Sequence, residues 1–312
     1  MDLIADIGAT NSRCALLDDQ GRIGQRQSFE NRRFDSLESL LEAYVAAAKP
    51  EPSLNRAALA IAAPLQGDKV RMTNVDWQFS GSALRDRLGL GELTLVNDFE
   101  AVAHALPRLA ASDVHAIGGG RTVADAPLAV IGPGSGLGVA TAVPSSGGWV
   151  AVAGEGGHVT VPPATDSERQ VVADVIAEHG HCSAERLLSG PGLVTIYRSL
   201  SRRELRDATL KPADGSRLAG ERDALALQTF DVFFGLLGSI AGNLALTVGA
   251  RGGVFIGGGI VPRMIPACEA SSFRQRFIDK GRYRGYLDAI PTRVITADLP
   301  ALLGLKAVLG YG

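Results

Sequence analysis

Twice in this chain an apolar run stops at glycines and restarts as a second apolar run. The first instance is 3–7, then Gly8-Ala9-Thr10-Asn11, then 13–17. The second is 128–131, then Gly132-Pro133-Gly134-Ser135-Gly136-Leu137-Gly138, then 139–143. Short apolar runs bounded by glycine read as strands joined by tight turns. Each hairpin opens a stretch in which strand and helix patterns alternate, as they do in an α/β domain. At 312 residues the chain exceeds what a single core usually fills, so two domains are expected. Two domains that open alike suggest duplication of one ancestral unit.

In the first third, 23–29 reads as a third strand. An amphipathic helix follows, with Leu37, Leu40, Leu41, Tyr44, Val45 and Ala48 on one face. Asp35 and Glu38 are spaced as its capping box. Strands are expected at 57–63 and 70–73, a short helix at 83–88, and a strand over 94–96. Residues 107–121 read as a crossing between domains. Beyond it, helices are expected at 167–179, 184–200, 222–248 and 300–309, and strands at 254–256 and 293–296.

The net charge of −2 is spread without a block of one sign, so neither nucleic acid nor an anionic membrane is an expected partner. The stretch 198–206 is the densest in arginine, but it includes Glu204 and reads as a solvated helix face. Cys14, Cys182 and Cys268 form neither a disulfide framework nor a zinc pair, which fits a reducing cytosol. The chain opens in a strand carrying Asp2 and Asp6, unlike a signal peptide. Residues 232–250 are uncharged and long enough to suggest a membrane span. Gly235, Gly238, Ser239, Gly242 and Asn243 interrupt them, so a buried helix is the better reading, its small residues admitting a close neighbour.

The chemistry concentrates in a few segments. In Leu95-Val96-Asn97-Asp98-Phe99-Glu100 a buried strand emerges into an amide and a carboxylate. Asp98 could accept a hydroxyl proton while Asn97 fixes the hydroxyl, although Asn-Asp is also ordinary helix-cap chemistry. At Gly8 a tight turn leaves the amides of Ala9, Thr10 and Asn11 and the Thr10 hydroxyl for phosphate oxygens. Asp6 could hold a Mg²⁺-bound water beside them. Gly134, Ser135 and Gly136 form the second such turn. There is no GxxxxGK[ST] segment, and the second turn leads into a strand, so neither a P-loop nor a Rossmann fingerprint is present. Gly257-Gly258-Gly259 ends another strand and would let a base or ribose lie against bare backbone. Glu155, His158 and Glu185 offer acceptors to a polyhydroxylated ligand. Glu185 could equally be a first-turn carboxylate facing a helix dipole, and His158 a structural loop residue. A metal set from Glu155, His158, His179, His181 and Cys182 lacks any recognised spacing.

Taken together, Asp6-Ile-Gly-Ala-Thr-Asn11, Met72-Thr-Asn-Val-Asp-Trp77, Leu95-Val-Asn-Asp-Phe-Glu-Ala101, Gly132-Pro-Gly-Ser-Gly-Leu-Gly138, Gly154-Glu-Gly-Gly-His158, Ser183-Ala-Glu-Arg-Leu-Leu-Ser-Gly190 with Pro-Gly-Leu193, and Gly252-Gly-Val-Phe-Ile-Gly-Gly-Gly259 resemble the bacterial ATP-dependent glucokinases of the hexokinase/actin-like superfamily, almost end to end. The resemblance implies an α/β, two-domain actin-like ATPase (ribonuclease H-like) fold with an interdomain cleft. It places 1–108 plus 299–312 in a small domain and 109–298 in a large one. By the same resemblance Asp98 is the general base toward the 6-hydroxyl of glucose, and Asn97, Asp98, Glu155, His158 and Glu185 bind the sugar. Gly8, Ala9, Thr10, Asn11, Gly134, Ser135 and Gly136 clasp the phosphates of ATP, Gly257, Gly258 and Gly259 carry the adenosine, and Asp6 holds Mg²⁺ through water. A cytosolic homodimer is implied. The cysteine-rich zinc motif of the related repressor/kinase group is missing, which favours the zinc-free branch. Thr160-Val161 and Lys306 depart from the family pattern. Kinases of another hexose or amino sugar, and a sugar-binding regulator without catalysis, are the competing readings.

Overall fold

A computed structural model describes residues 1–72, 75–203 and 224–311. Thr73 and Asn74 of the Met72–Trp77 motif, with the end of the strand expected at 70–73, lie outside the described residues. So do 204–206 of the arginine-rich stretch and 222–223 of the expected long helix. The chain divides into two compact units: Met1–Arg108 with Trp149–Ala153 and Asp298–Gly312, and Leu109–Gly148 with Gly154–Ala297. This division departs from the expected one at Trp149–Ala153 and at Asp298, which group with the first unit.

In the first unit β1 (Asp2–Ile7), β2 (Asn11–Leu17) and β3 (Ile23–Glu30) form an antiparallel meander. The chain then runs through α1 (Leu37–Ala48), β4 (Arg56–Ile61), the small hairpin of β5 (Lys69–Arg71) and β6 (Gln78–Ser80), α2 (Gly81–Arg87) and β7 (Glu92–Asn97) into α3 (Asp98–Ala105). The sheet order is β3-β2-β1-β4-β7, with β4 parallel to both of its neighbours. On α1, Leu37, Leu40, Leu41 and Tyr44 are withdrawn completely from water, each burial stabilising by about 1.5–3 kcal/mol. The capping box is Ser36 with Ser39, not Asp35 with Glu38: the Ser39 N–H donates to Ser36 Oγ at 3.2 Å and the Ser36 N–H to Ser39 Oγ at 3.3 Å.

The C-terminal helix Pro300–Val308 returns to this unit and crosses α3 at Gly304. A Cβ there would stand 1.7 Å from the Ala101 carbonyl oxygen, so the two backbones meet where only glycine fits. Buried Asp2 fastens the end of the chain. It accepts from Arg56 Nη2 at 2.6 Å and from the Tyr311 hydroxyl at 2.9 Å, while Arg56 Nη1 donates to the Leu309 carbonyl at 3.1 Å.

The second sheet consists of β8 (Val114–Ala116), β9 (Leu128–Pro133), β10 (Leu137–Ser145), β11 (Gly148–Gly154), β12 (Gly253–Ile256) and β13 (Thr292–Ile295) in the order β11-β10-β9-β12-β13-β8. Every residue of β9 is buried, and β12 runs parallel to β9 and to β13. Neither β8 nor β11 was expected from sequence. Helix α4 (Asp166–His179) is followed by α5 (Ala184–Leu187) and α6 (Gly190–Arg203), where a single helix over 184–200 was expected. The break falls at Leu188-Ser189: Ser189 Oγ accepts from the Gly192 N–H at 3.1 Å and restarts the helix at Gly190-Pro191.

The long helix Ala224–Val248 has membrane-span length and hydropathy, yet 78% of its most apolar window is buried. It is a core helix. Cβ atoms at Gly238 and Gly242 would stand 2.2 and 2.4 Å from the carbonyls of Phe273 and Phe277, so its small residues admit the helix Phe273–Ile278 as expected. Three helices of this unit share one buried ion pair. Arg276 Nη1 and Nη2 grip Glu168 Oε1 and Oε2 at 2.8 and 3.2 Å, and Nη2 also donates to Ser239 Oγ at 2.7 Å.

Candidate functional site

In the first unit the parallel strands β1, β4 and β7 end in one row, with Ile7 opposite Ile61 and Ile61 opposite Asn97. The Gly8 turn and Asp98 therefore leave the same carboxyl edge of the sheet two strands apart, about 10 Å at normal strand spacing. That edge is where open α/β sheets bind ligands. Asn97 caps α3 in a capping box with Glu100: Asn97 Oδ1 accepts from the Phe99 and Glu100 amides at 3.0 and 3.4 Å, and Glu100 Oε2 from the Asn97 N–H at 3.3 Å. The cap engages the amide oxygen of Asn97. Asp98 follows at the positive end of the helix dipole, partly exposed, with its Oδ1 accepting from the Phe99 N–H at 2.9 Å.

The Gly8 turn is open. The Gly8 N–H donates to the Asn11 carbonyl at 3.2 Å, while the N–H groups of Ala9 and Thr10 find no acceptor among the described residues. Successive undirected amides of this kind form an anion-binding concavity. Asp6 stands two residues before the turn with Arg13 Nη1 at 3.4 Å. Burial pushes its carboxyl above the ordinary value, opposed by Arg13.

The second unit repeats this plan. β9 and β12 end side by side, and the Gly257 N–H donates to the Ile131 carbonyl at 2.9 Å. Gly258 has φ +77°, and a Cβ there would stand 2.3 Å from the Pro133 carbonyl oxygen. The three-glycine segment thus lies directly against the turn at Gly134. In that turn the Gly134 N–H donates to the Gly136 carbonyl and the Gly190 N–H to the Gly134 carbonyl, both at 2.8 Å, while the N–H groups of Ser135 and Gly136 find no acceptor among the described residues.

Glu185 joins this turn. Its Oε2 accepts from the Leu137 N–H at 2.9 Å, and a Cβ at Gly136 would collide with the same oxygen at 2.4 Å. The loop Glu155–His158 arrives from the other side, with Gly157 against the Leu137 carbonyl. Segments 159–161 and 182–184 pair, through Val161 N–H to Cys182 and Ala184 N–H to Val159, and this brings His158 toward Glu185. His158 Nε2 lies 3.8 Å from Glu155 Oε2, and both side chains are more than half exposed. The second unit therefore gathers Glu155, His158, Glu185, Gly134, Ser135, Gly136, Gly257, Gly258 and Gly259 around Leu137. The first unit gathers Asp6, Gly8, Ala9, Thr10, Asn11, Asn97 and Asp98. No group of three or more metal-ligating side chains occurs among the described residues, so the set around His179, His181 and Cys182 is not assembled.

Three contributors escaped the sequence reading. Asn31 braces the first turn, the Leu137 amide anchors Glu185, and the Gly190 amide braces the second turn. Leu137 and Gly190 lay within the glycine-rich motifs without an assigned role, and Asn31 lay outside them.

Two α/β units, each with a glycine turn on the carboxyl edge of its sheet, define an actin-like kinase fold. A sequence profile of the glucokinase family matches residues 3–310. The glucokinase of Chromobacterium violaceum is 48% identical over 309 residues, covering 98% of this chain and 88% of that protein. The crystal structure of a glucokinase from an Antarctic psychrotroph superposes with a TM-score of 0.88 at 34% identity, covering 100% of this chain and 99% of that one. A glucokinase of the ROK family from Streptomyces griseus, solved with glucose and AMPPNP, shares the fold at a TM-score of 0.67 and 18% identity, with 98% of each chain covered. The chain belongs to the glucokinase family.

Proposed function

We propose that this chain transfers the γ-phosphoryl group of ATP to the 6-hydroxyl of glucose, with Asp98 as the general base. The observation that carries the reading is the shared sheet edge on which an open amide turn and a helix-capped carboxylate stand two strands apart. The family supports glucokinase activity.

Phosphoryl transfer asks a protein for alignment and charge neutralisation more than for covalent chemistry. Asn97 orients the hydroxyl through its amide nitrogen, since its oxygen is spent on the cap. Asp98 takes the proton as the new O–P bond forms and the bond from the γ-phosphorus to the β–γ bridging oxygen breaks, releasing ADP. The amides of the Gly8 and Gly134 turns hold phosphate oxygens, and Gly257–Gly259 leaves room for the nucleoside. Glu155, His158 and Glu185 bind sugar hydroxyls. Mg²⁺, held through water by Asp6, would supply positive charge to offset that developing on the phosphates. The residues fit such an ion, because one carboxylate at Asp6 beside the turn suits a metal that keeps several waters. The domain division at 108 and 299, the cytoplasmic location and the homodimer belong to the same reading.

An ADP-release assay across a panel of hexoses and amino sugars tests it. Glucose should give the highest kcat/KM. Preference for another hexose or an amino sugar would favour a kinase of that sugar, and no turnover with any sugar would favour a regulator. Glu185→Gln is informative in its own right. Glutamine keeps an oxygen acceptor for the Leu137 N–H but presents a donor to the sugar. The KM for glucose should rise roughly ten- to hundredfold, the scale of a hydrogen bond to a charged group, with the KM for ATP nearly unchanged. An effect on ATP alone in steady-state kinetics would contradict the assignment.

A further inference from the structure

We infer that Asn31 is a positioning residue of the nucleotide site. Its side chain and backbone turn the peptide planes of the Gly8 turn so that their amides face a phosphate. The inference rests on the phosphate reading of that turn.

Asn31 follows β3 at the start of a 3-10 turn and is 1% exposed. Its Nδ2 donates to the Gly8 carbonyl at 2.8 Å, its Oδ1 accepts from Ser12 Oγ at 2.7 Å, and its own N–H donates to the Thr10 carbonyl at 2.9 Å. A trans peptide is planar, with C=O and N–H pointing in opposite directions. Drawing the Gly8 carbonyl inward therefore points the Ala9 N–H outward. Drawing the Thr10 carbonyl inward does the same for the Asn11 N–H. In an ordinary two-residue hairpin the Gly8 carbonyl would instead accept from Asn11 and close the turn. Here Nδ2 of Asn31 takes that place and frees the Asn11 amide.

The brace is itself held in place. Phe29 and Phe34, on either side of Asn31, meet edge to face at 5.6 Å, and Phe29 meets Tyr44 of α1 at 6.2 Å. Donors aimed beforehand at a ligand bind it without paying to reorganise, so an amide pair locked from behind suits a triphosphate tail.

Asn31→Leu removes the side-chain brace in a similar volume, while Asn31→Asp keeps the acceptor for Ser12 and loses the donor to Gly8. Both should raise the KM for ATP, roughly ten- to hundredfold for a misplaced binding group, and weaken ATP more than adenosine in calorimetry. The KM for glucose should stay within twofold. Gly8→Ala serves as the control on the turn itself, because its Cβ would stand 2.9 Å from the Asn11 carbonyl oxygen. If Gly8→Ala weakens ATP and the Asn31 variants do not, Asn31 has no positioning role. If Gly8→Ala also leaves ATP binding intact, the phosphate reading of the turn fails instead. A purely structural Asn31 would lower Tm and the active fraction while leaving both Michaelis constants in place, and that pattern would also overturn the inference.

Discussion

Asp98→Asn should leave the protein folded and able to bind glucose while its turnover falls roughly 10²- to 10⁴-fold, the span for losing a positioned general base. The substitution is close to isosteric. Asparagine Oδ1 can still accept from the Phe99 N–H, as Asp98 does at 2.9 Å. The helix start does not depend on residue 98 either, since Asn97 and Glu100 cap it between them. What disappears is the carboxylate that takes the proton as the hydroxyl attacks. Calorimetric glucose titration paired with single-turnover phosphoryl transfer separates the two effects. Turnover within a few-fold of the parent would remove Asp98 from the mechanism, and lost glucose binding would recast it as a sugar contact alone.

The second large effect falls on stability. Glu168→Ala should cost about 3–5 kcal/mol, the usual consequence of leaving one member of a buried ion pair uncompensated. Glu168 is 2% exposed and does two things. Its Oε2 caps α4 by accepting from the Ala164 and Thr165 amides at 2.6 and 3.2 Å, and both carboxylate oxygens meet Arg276. Among the described residues, removal leaves the Arg276 guanidinium with the Ser239 hydroxyl as its remaining hydrogen-bond partner within three packed helices. Denaturant titration of the second unit reads the loss. Replacing both partners, Glu168→Leu with Arg276→Met, should recover much of it, because apolar residues of similar volume pay no desolvation for charge. A single variant as stable as the parent would show the pair to be dispensable.

Features governed by local periodicity or local capping were legible before the structure. The buried strands ending at Ile7, Asn97 and Ile256, the helix-cap chemistry of Asn97-Asp98 and the two glycine turns all carry their signal within a few adjacent residues. β11 did not. Trp149-Val150-Ala151-Val152-Ala153 shows no apolar–polar alternation, and its Val150 and Val152 are about half exposed, so nothing separated an edge strand from a loop. The split between α5 and α6 was written in Ser189-Gly190-Pro191-Gly192, but the leucines on both sides kept the helical period running through it. Grouping of the site residues around Leu137 had no side-chain signature at all, because the anchor is a main-chain N–H. Asn31 was hidden for a similar reason: its partners at Gly8 and Ser12 are near in space and distant in the chain.

The meeting of Gly304 with the Ala101 carbonyl carries a genetic consequence. An added methyl group at position 304 would strike main chain, which every amino acid possesses, so trimming a neighbouring side chain gives no relief. Second-site changes that shorten a neighbouring side chain therefore cannot rescue this locus. The helix bearing Asp98 is held in place by an absence of atoms more than two hundred positions downstream.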